Sequence, residues 1–154
     1  MNYKNLIINL LNKGLIKKQT LDFKQIKNLL LRARKDLVVA KRNLAIDEEV
    51  TYNYAYLAML RCGRALMLLH GYRPDGGGQH KTVIDFVAVV LGPTFADLVN
   101  KFDIMRRKRN QFTYEPFLPI SRTEAENALK SAEEFVTKLI ELVKKENPQL
   151  ELDL

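Results

Sequence analysis

Apolar residues return every three or four positions along almost the whole chain, the period of an amphipathic helix. A short first helix is predicted over Tyr3–Leu11, with Gly14 just past its end as a cap. Thr20 or Asp22 caps a second helix, whose inward stripe is Phe23, Ile26, Leu30, Ala33, Leu37, Ala40 and Leu44. Its other faces carry Lys24, Lys27, Arg32, Arg34, Lys35, Lys41 and Arg42. Asp47, Glu48 and Glu49 open a third helix, where carboxylates complement the positive end of the dipole. From Tyr52 to Leu69 this helix is apolar nearly all round, interrupted by Asn53, Arg61 and Arg64. A helix of that kind belongs at the centre of a bundle. The side bearing Arg61 and Arg64 must then reach water, an acidic partner or a ligand.

Gly71-Tyr72-Arg73-Pro74-Asp75-Gly76-Gly77-Gly78 is the one strong breaker cluster and reads as a loop. A short fourth helix follows from about His80 to Leu91, ended by Gly92-Pro93. Thr94 with Asp97 has the form of a capping box for a fifth helix. Pro116 and Pro119 break the chain after it. Ser121 with Glu124, or Thr123 with Glu126, caps a last helix that runs to about Lys145. The stripe of that helix is Ala125, Ala128, Leu129, Ala132, Phe135, Val136, Leu139, Ile140 and Val143, and Pro148 marks a frayed tail. Strand signals are weak and no repeat is present. The expectation is an all-α fold, an up-and-down helical bundle of five or six helices, in a single domain over residues 1–154.

The fifth helix changes this plain picture. Its apolar positions are Phe95, Leu98, Phe102 and Met105, and the same spacing leads next to Arg109 and Phe112. An arginine thus falls on the stripe that faces the core. Burying one is costly unless a partner offsets its desolvation. Arg106, Arg109 and Asn110 share a helix face at i, i+3 and i+4, with Tyr114 a turn further on. Arginine can grip a phosphate with two parallel hydrogen bonds, asparagine can orient a hydroxyl, and tyrosine can stack on a base. A basic helix end complementing its own dipole explains Arg107 and Lys108 equally well, but not Arg109.

The formal charge is +7, and it is uneven. Residues 1–120 hold 20 Lys and Arg against 10 Asp and Glu, whereas residues 121–154 hold 5 against 8. A basic body suits RNA, DNA or nucleotides; generous lysine decoration of a soluble protein explains the charge alone equally well. The lone Cys62 lies in an apolar helical stretch and reads as a buried thiol, in keeping with a reducing cytoplasm. No apolar run is long enough to span a bilayer, and the first residues lack the order of a secretory signal. The expected localisation is cytoplasmic.

Other candidate chemistry is thin. Gly76-Gly77-Gly78 lacks the spacing of a phosphate loop and the strand before it, although Arg73, His80 and Lys81 flank it and could still grip an anion. His70 and His80 are the only histidines, and neither has carboxylate or cysteine neighbours at metal-ligand spacing. No metal site and no cofactor are expected. His70 reads as a packed residue near a helix end, and His80, a lone histidine after a glycine loop, reads as structural.

Taken in order, the third helix from Tyr54-Ala55-Tyr56 to Arg64-Ala65-Leu66, then Gly71-Tyr72-Arg73-Pro74, His80, and Arg106-Arg107-Lys108-Arg109-Asn110 with Tyr114 resemble the HEPN domain, the higher eukaryotes and prokaryotes nucleotide-binding family. The resemblance runs from about Leu21 to Leu142. It implies a helical bundle, usually a homodimer. Many members are metal-independent endoribonucleases, often toxins; others bind RNA or nucleotides without cutting. Many are encoded beside a small nucleotidyltransferase that acts as antitoxin. The family's active motif is an arginine, a polar residue, and a histidine four to six residues beyond the arginine. Here the resemblance assigns Arg109 and Asn110 to the first two and leaves Tyr114 at the histidine position. An unperturbed phenol titrates near 10 and is a poor base at neutral pH. In some toxin members a tyrosine two residues past the histidine is nucleotidylated; that position is Pro116 here.

The expected function is RNA or nucleotide binding in a basic cleft lined by Arg106, Arg109, Asn110 and Tyr114, with Arg61 and Arg64 as a second wall, and with weak or no catalysis through the degenerate motif. The alternatives are a metal-independent endoribonuclease and an interaction subunit for a small nucleotidyltransferase in a toxin–antitoxin pair. A homodimer and no membrane partner are expected.

Overall fold

The computed structural model describes residues 1–148. Six α-helices account for most of them, and the all-α expectation holds. Helix α1 covers Tyr3–Asn12, α2 Phe23–Asn43, α3 Glu48–Leu69, α4 Gln79–Leu91, α5 Ala96–Tyr114 and α6 Arg122–Glu146. The frayed tail expected beyond Pro148 lies outside the described residues.

The caps explain most of the boundaries. Asp22 and Asp47 accept backbone N–H groups at the starts of α2 and α3. Ser121 and Glu124 form a reciprocal capping box at α6. Gly14, at φ +67°, follows the end of α1 as its spacing predicts. The box expected from Thr94 and Asp97 does not form. Pro93–Phe95 makes a turn of 3-10 helix instead, so α5 begins at Ala96 and Phe95 occupies the cap position with no side-chain bond.

Helix α3 is the central element. It packs against α2, α4, α5 and α6, and Tyr56, Met59, Cys62, Ala65, Leu66 and Met67 are wholly buried along it. Its neighbours contribute the stripes read from the sequence. From α6 come Ala132, Phe135, Leu139 and Val143; from α2 come Ile26, Leu30, Ala33 and Ala40. Gly63 lets α4 approach closely, because a Cβ there would lie 2.5 Å from Val83 Cγ1.

Two features depart from the sequence reading. The segment read as a loop over 71–78 contains a strand, β2 (Tyr72–Pro74), which pairs antiparallel with β1 (Ile16–Lys18) in the register Ile16↔Pro74. Three-residue strands are too short to show alternation, and each exists only because its distant partner satisfies it. Gly71, at φ +84°, turns the chain from α3 into β2. The second departure is Asp36 on α2, fully buried beside the apolar stripe. Arg61 of α3 donates to its Oδ2, and Arg32 lies 3.4 Å from its Oδ1. A charge on an inner face is tolerated here because its partner arrives from the adjacent helix.

Candidate functional site

The inward position of Arg109 is resolved by α3. Its Nε donates to Asn53 Oδ1 at 2.6 Å, and its guanidinium lies over the Tyr56 ring, 5.5 Å from the centroid. With Nε occupied, the two terminal nitrogens have no protein partner among the described residues. They are the fork that grips a phosphate or carboxylate. A cleft of about 240 Å³ opens beside them, lined by Glu49, Asn53, Arg109 and Phe112.

Tyr56 extends the network. Its ring is fully buried, and its hydroxyl shares a hydrogen bond of 2.9 Å with His80 Nδ1, on the first turn of α4. Burial holds the Tyr56 phenol far above its ordinary pKa, against the opposing pull of Arg109 and Arg106. Burial, with Arg109, Arg64 and Arg106 nearby, lowers the pKa of His80. Arg106, Arg109 and the His80 imidazole therefore gather around a buried tyrosine at the junction of α3, α4 and α5, with Arg64 near the imidazole.

The other expected residues are placed as follows. Arg106 is half-buried and holds Asp103 through Nε at 2.9 Å. Arg64 is exposed, has no ion pair among the described residues, and stands close enough to influence His80. Arg61 is engaged with Asp36, on the side of α3 that faces α2. Asn110 is exposed, and Tyr114, the last residue of α5, is 85% exposed. The structure thus brings Arg106, Arg109 and Arg64 toward one centre, commits Arg61 to a buried ion pair, and leaves Asn110 and Tyr114 on the surface. Asn53, Tyr56 and His80 are the site residues that the sequence reading did not assign. The polar break at Asn53 in an apolar helix was one signal pointing to them, and Tyr56 and His80 also lie in the segments that carry the family resemblance. Among the described residues no group of His, Cys, Asp and Glu gathers that could hold a metal ion. No helix is long and apolar enough to cross a membrane.

A six-helix bundle whose central helix and fifth helix clasp an arginine around an asparagine and a tyrosine defines an all-α protein with a polar site built inside its core. The profile of the HEPN domain matches residues 26–145, and the chain belongs to that family. Its functions relate to RNA and nucleotides. No curated protein and no solved structure matches the chain.

Proposed function

We propose that this protein binds RNA or a nucleotide by its phosphate at the α3–α5 cleft. The observation that carries the reading is the Arg109–Asn53 bond, which leaves the free guanidinium fork held at the cleft mouth. Arg106 and Arg64 supply further positive potential. The exposed Tyr114 and Asn110 stand on the continuing surface of α5, where a base can stack and a hydroxyl can be bonded. A homodimer related by a two-fold axis would set two such clefts side by side; light scattering at micromolar concentration tests it, with twice the chain mass expected. The experiment for the binding itself is anisotropy of a labelled single-stranded RNA, titrated at several salt concentrations with the wild type and with Arg109→Ala. Affinity that falls steeply with salt and collapses in the variant is expected; equal binding by the variant rejects the site.

A second reading, metal-independent endoribonuclease, is favoured by one observation, the histidine within the arginine network. Through Tyr114 alone, chemistry would be slow or absent.

A further inference from the structure

Helices α5 and α6 both pack on α3, and a second cleft, of about 450 Å³, lies between them. Ala128 and Ser131 of α6 line it with short side chains that leave the space open. Tyr52 of α3 and Met105 of α5 close it from below. Tyr52 is 5% exposed and Ser131 8%, yet neither hydroxyl has a hydrogen-bond partner among the described residues. Neither is sealed inside the core. Buried polar groups are ordinarily bonded, so both hydroxyls await whatever enters the cleft. Lys101 on the α5 wall and Glu134 on the α6 wall carry opposite charges, and neither has an ion pair among the described residues. Glu124, earlier on α6, is instead tied to Lys108 at 3.4 Å. The cleft shares a wall with the Arg109 site: Tyr52 packs edge to face on Phe112, with centroids 6.1 Å apart, and Phe112 lines the Arg109 cleft.

We propose that the α5–α6 cleft is a base pocket, and that it takes a guanine of the RNA whose phosphate Arg109 holds. The inference rests on the binding reading above. The volume suits a fused ring, and the mixture of an apolar floor with a few polar groups is that of a small-molecule site. The faces of the base lie against Met105 and Ala128, with Ile104, 48% exposed, as the lip. Guanine presents two adjacent donors, N1–H and the N2 amine, to a carboxylate, and two adjacent acceptors, O6 and N7, to a cation. Glu134 and Lys101 are that carboxylate and that cation, each unpaired and on facing walls.

The other bases fit this donor set less well. Adenine carries an amine where guanine has O6, and so turns a donor toward Lys101. Uracil has one ring N–H between two carbonyls, and those oxygens would meet Glu134. Cytosine has a single amine beside two acceptors. Burial holds the Tyr52 phenol up at about 12, with Glu124 adding to the shift. Tyr52 therefore keeps its proton at neutral pH and donates to a ring nitrogen from the floor.

The test uses the full chain and short labelled single-stranded RNAs of uridine, with guanine, adenine, cytosine or uracil at the central position, titrated by anisotropy. The guanine strand should bind about tenfold more tightly than the others. Glu134→Gln, at an exposed position, should remove most of that preference and leave the all-uridine strand unaffected. Tyr52→Phe keeps the ring and orphans nothing; it should weaken the guanine strand by about threefold or more. Arg109→Ala should weaken every strand alike and preserve the preference. Equal affinity for all the strands overturns the inference and spares the binding reading. So does an undiminished guanine preference in both Glu134→Gln and Tyr52→Phe. If those substitutions change the mass seen by light scattering and leave the preference intact, a second copy of the chain covers the cleft and the inference falls. Failure of the wild type to bind any strand overturns both readings.

Discussion

Arg109 and Asn53, 56 positions apart in the sequence, meet at 2.6 Å between α5 and α3. The bond turns a charge on an inward stripe from a liability into a fixed donor. It also separates Arg109 from its neighbour in sequence. Arg107 is 61% exposed and leans on Asp103 at 3.5 Å, away from the cleft.

The two arginines should therefore differ in binding. Arg109→Ala is expected to weaken RNA or nucleotide binding by about 1–3 kcal/mol, the scale of a charge-assisted contact. Arg107→Ala should cost a small part of that, because an exposed cation contributes only diffuse potential. Titration by anisotropy, with circular dichroism to check folding, compares them. Equal losses would mean that the site is a field of charge and not a fork.

Arg61 should act on stability instead of binding. Removing it leaves the fully buried Asp36 facing only Arg32, which is 48% exposed and 3.4 Å away. Arg61→Ala is expected to cost about 3–5 kcal/mol, as for other buried ion pairs broken on one side. Urea unfolding measures this. A stable variant with weakened RNA binding would instead return Arg61 to the binding wall.

Gly63 tests the closeness of α3 and α4. An alanine Cβ would meet Val83 Cγ1 at 2.5 Å and Val87 Cγ2 at 3.2 Å. Overpacking of this kind costs about 1–3 kcal/mol, more than the helix propensity of alanine returns. A lower melting temperature for Gly63→Ala is the expected result, and an unchanged or higher one would show that the two helices can part without cost.

Acid should destabilise the fold through His70. Its ring packs against Tyr3 and Phe86, and its Nε2 is buried without a partner among the described residues. Burial lowers its pKa, with a smaller opposing pull from Glu146. The unfolded chain then binds the proton more readily than the folded one. The stability held above the unfolded value of about 6.5 is lost progressively as pH falls toward the lower folded value. His80, also lowered, adds in the same direction. Urea unfolding from pH 8 to 5 should show the fall, and His70→Phe should reduce it. An undiminished slope in that variant would assign the effect elsewhere.

The helices were legible because the cause of each is local. The apolar stripe of α6, its capping box of Ser121 and Glu124, and the Asp22 and Asp47 caps lie within a few residues of what they stabilise. So was the anomaly of Arg109, since a helical period read from Leu98 to Met105 fixes where the next residues must point. The sequence by itself determined an all-α bundle around α3 and an arginine turned toward it.

What the arginine meets was decided only by tertiary structure. Asn53, Tyr56 and His80 come from two other helices, and no spacing along the chain connects them to α5. The pairing of Arg61 with Asp36 and of β1 with β2 has the same character. A hydrogen bond or ion pair depends on distances of a few ångströms between elements far apart in sequence. Those distances are set by how the apolar faces pack, and the packing is a property of the whole fold.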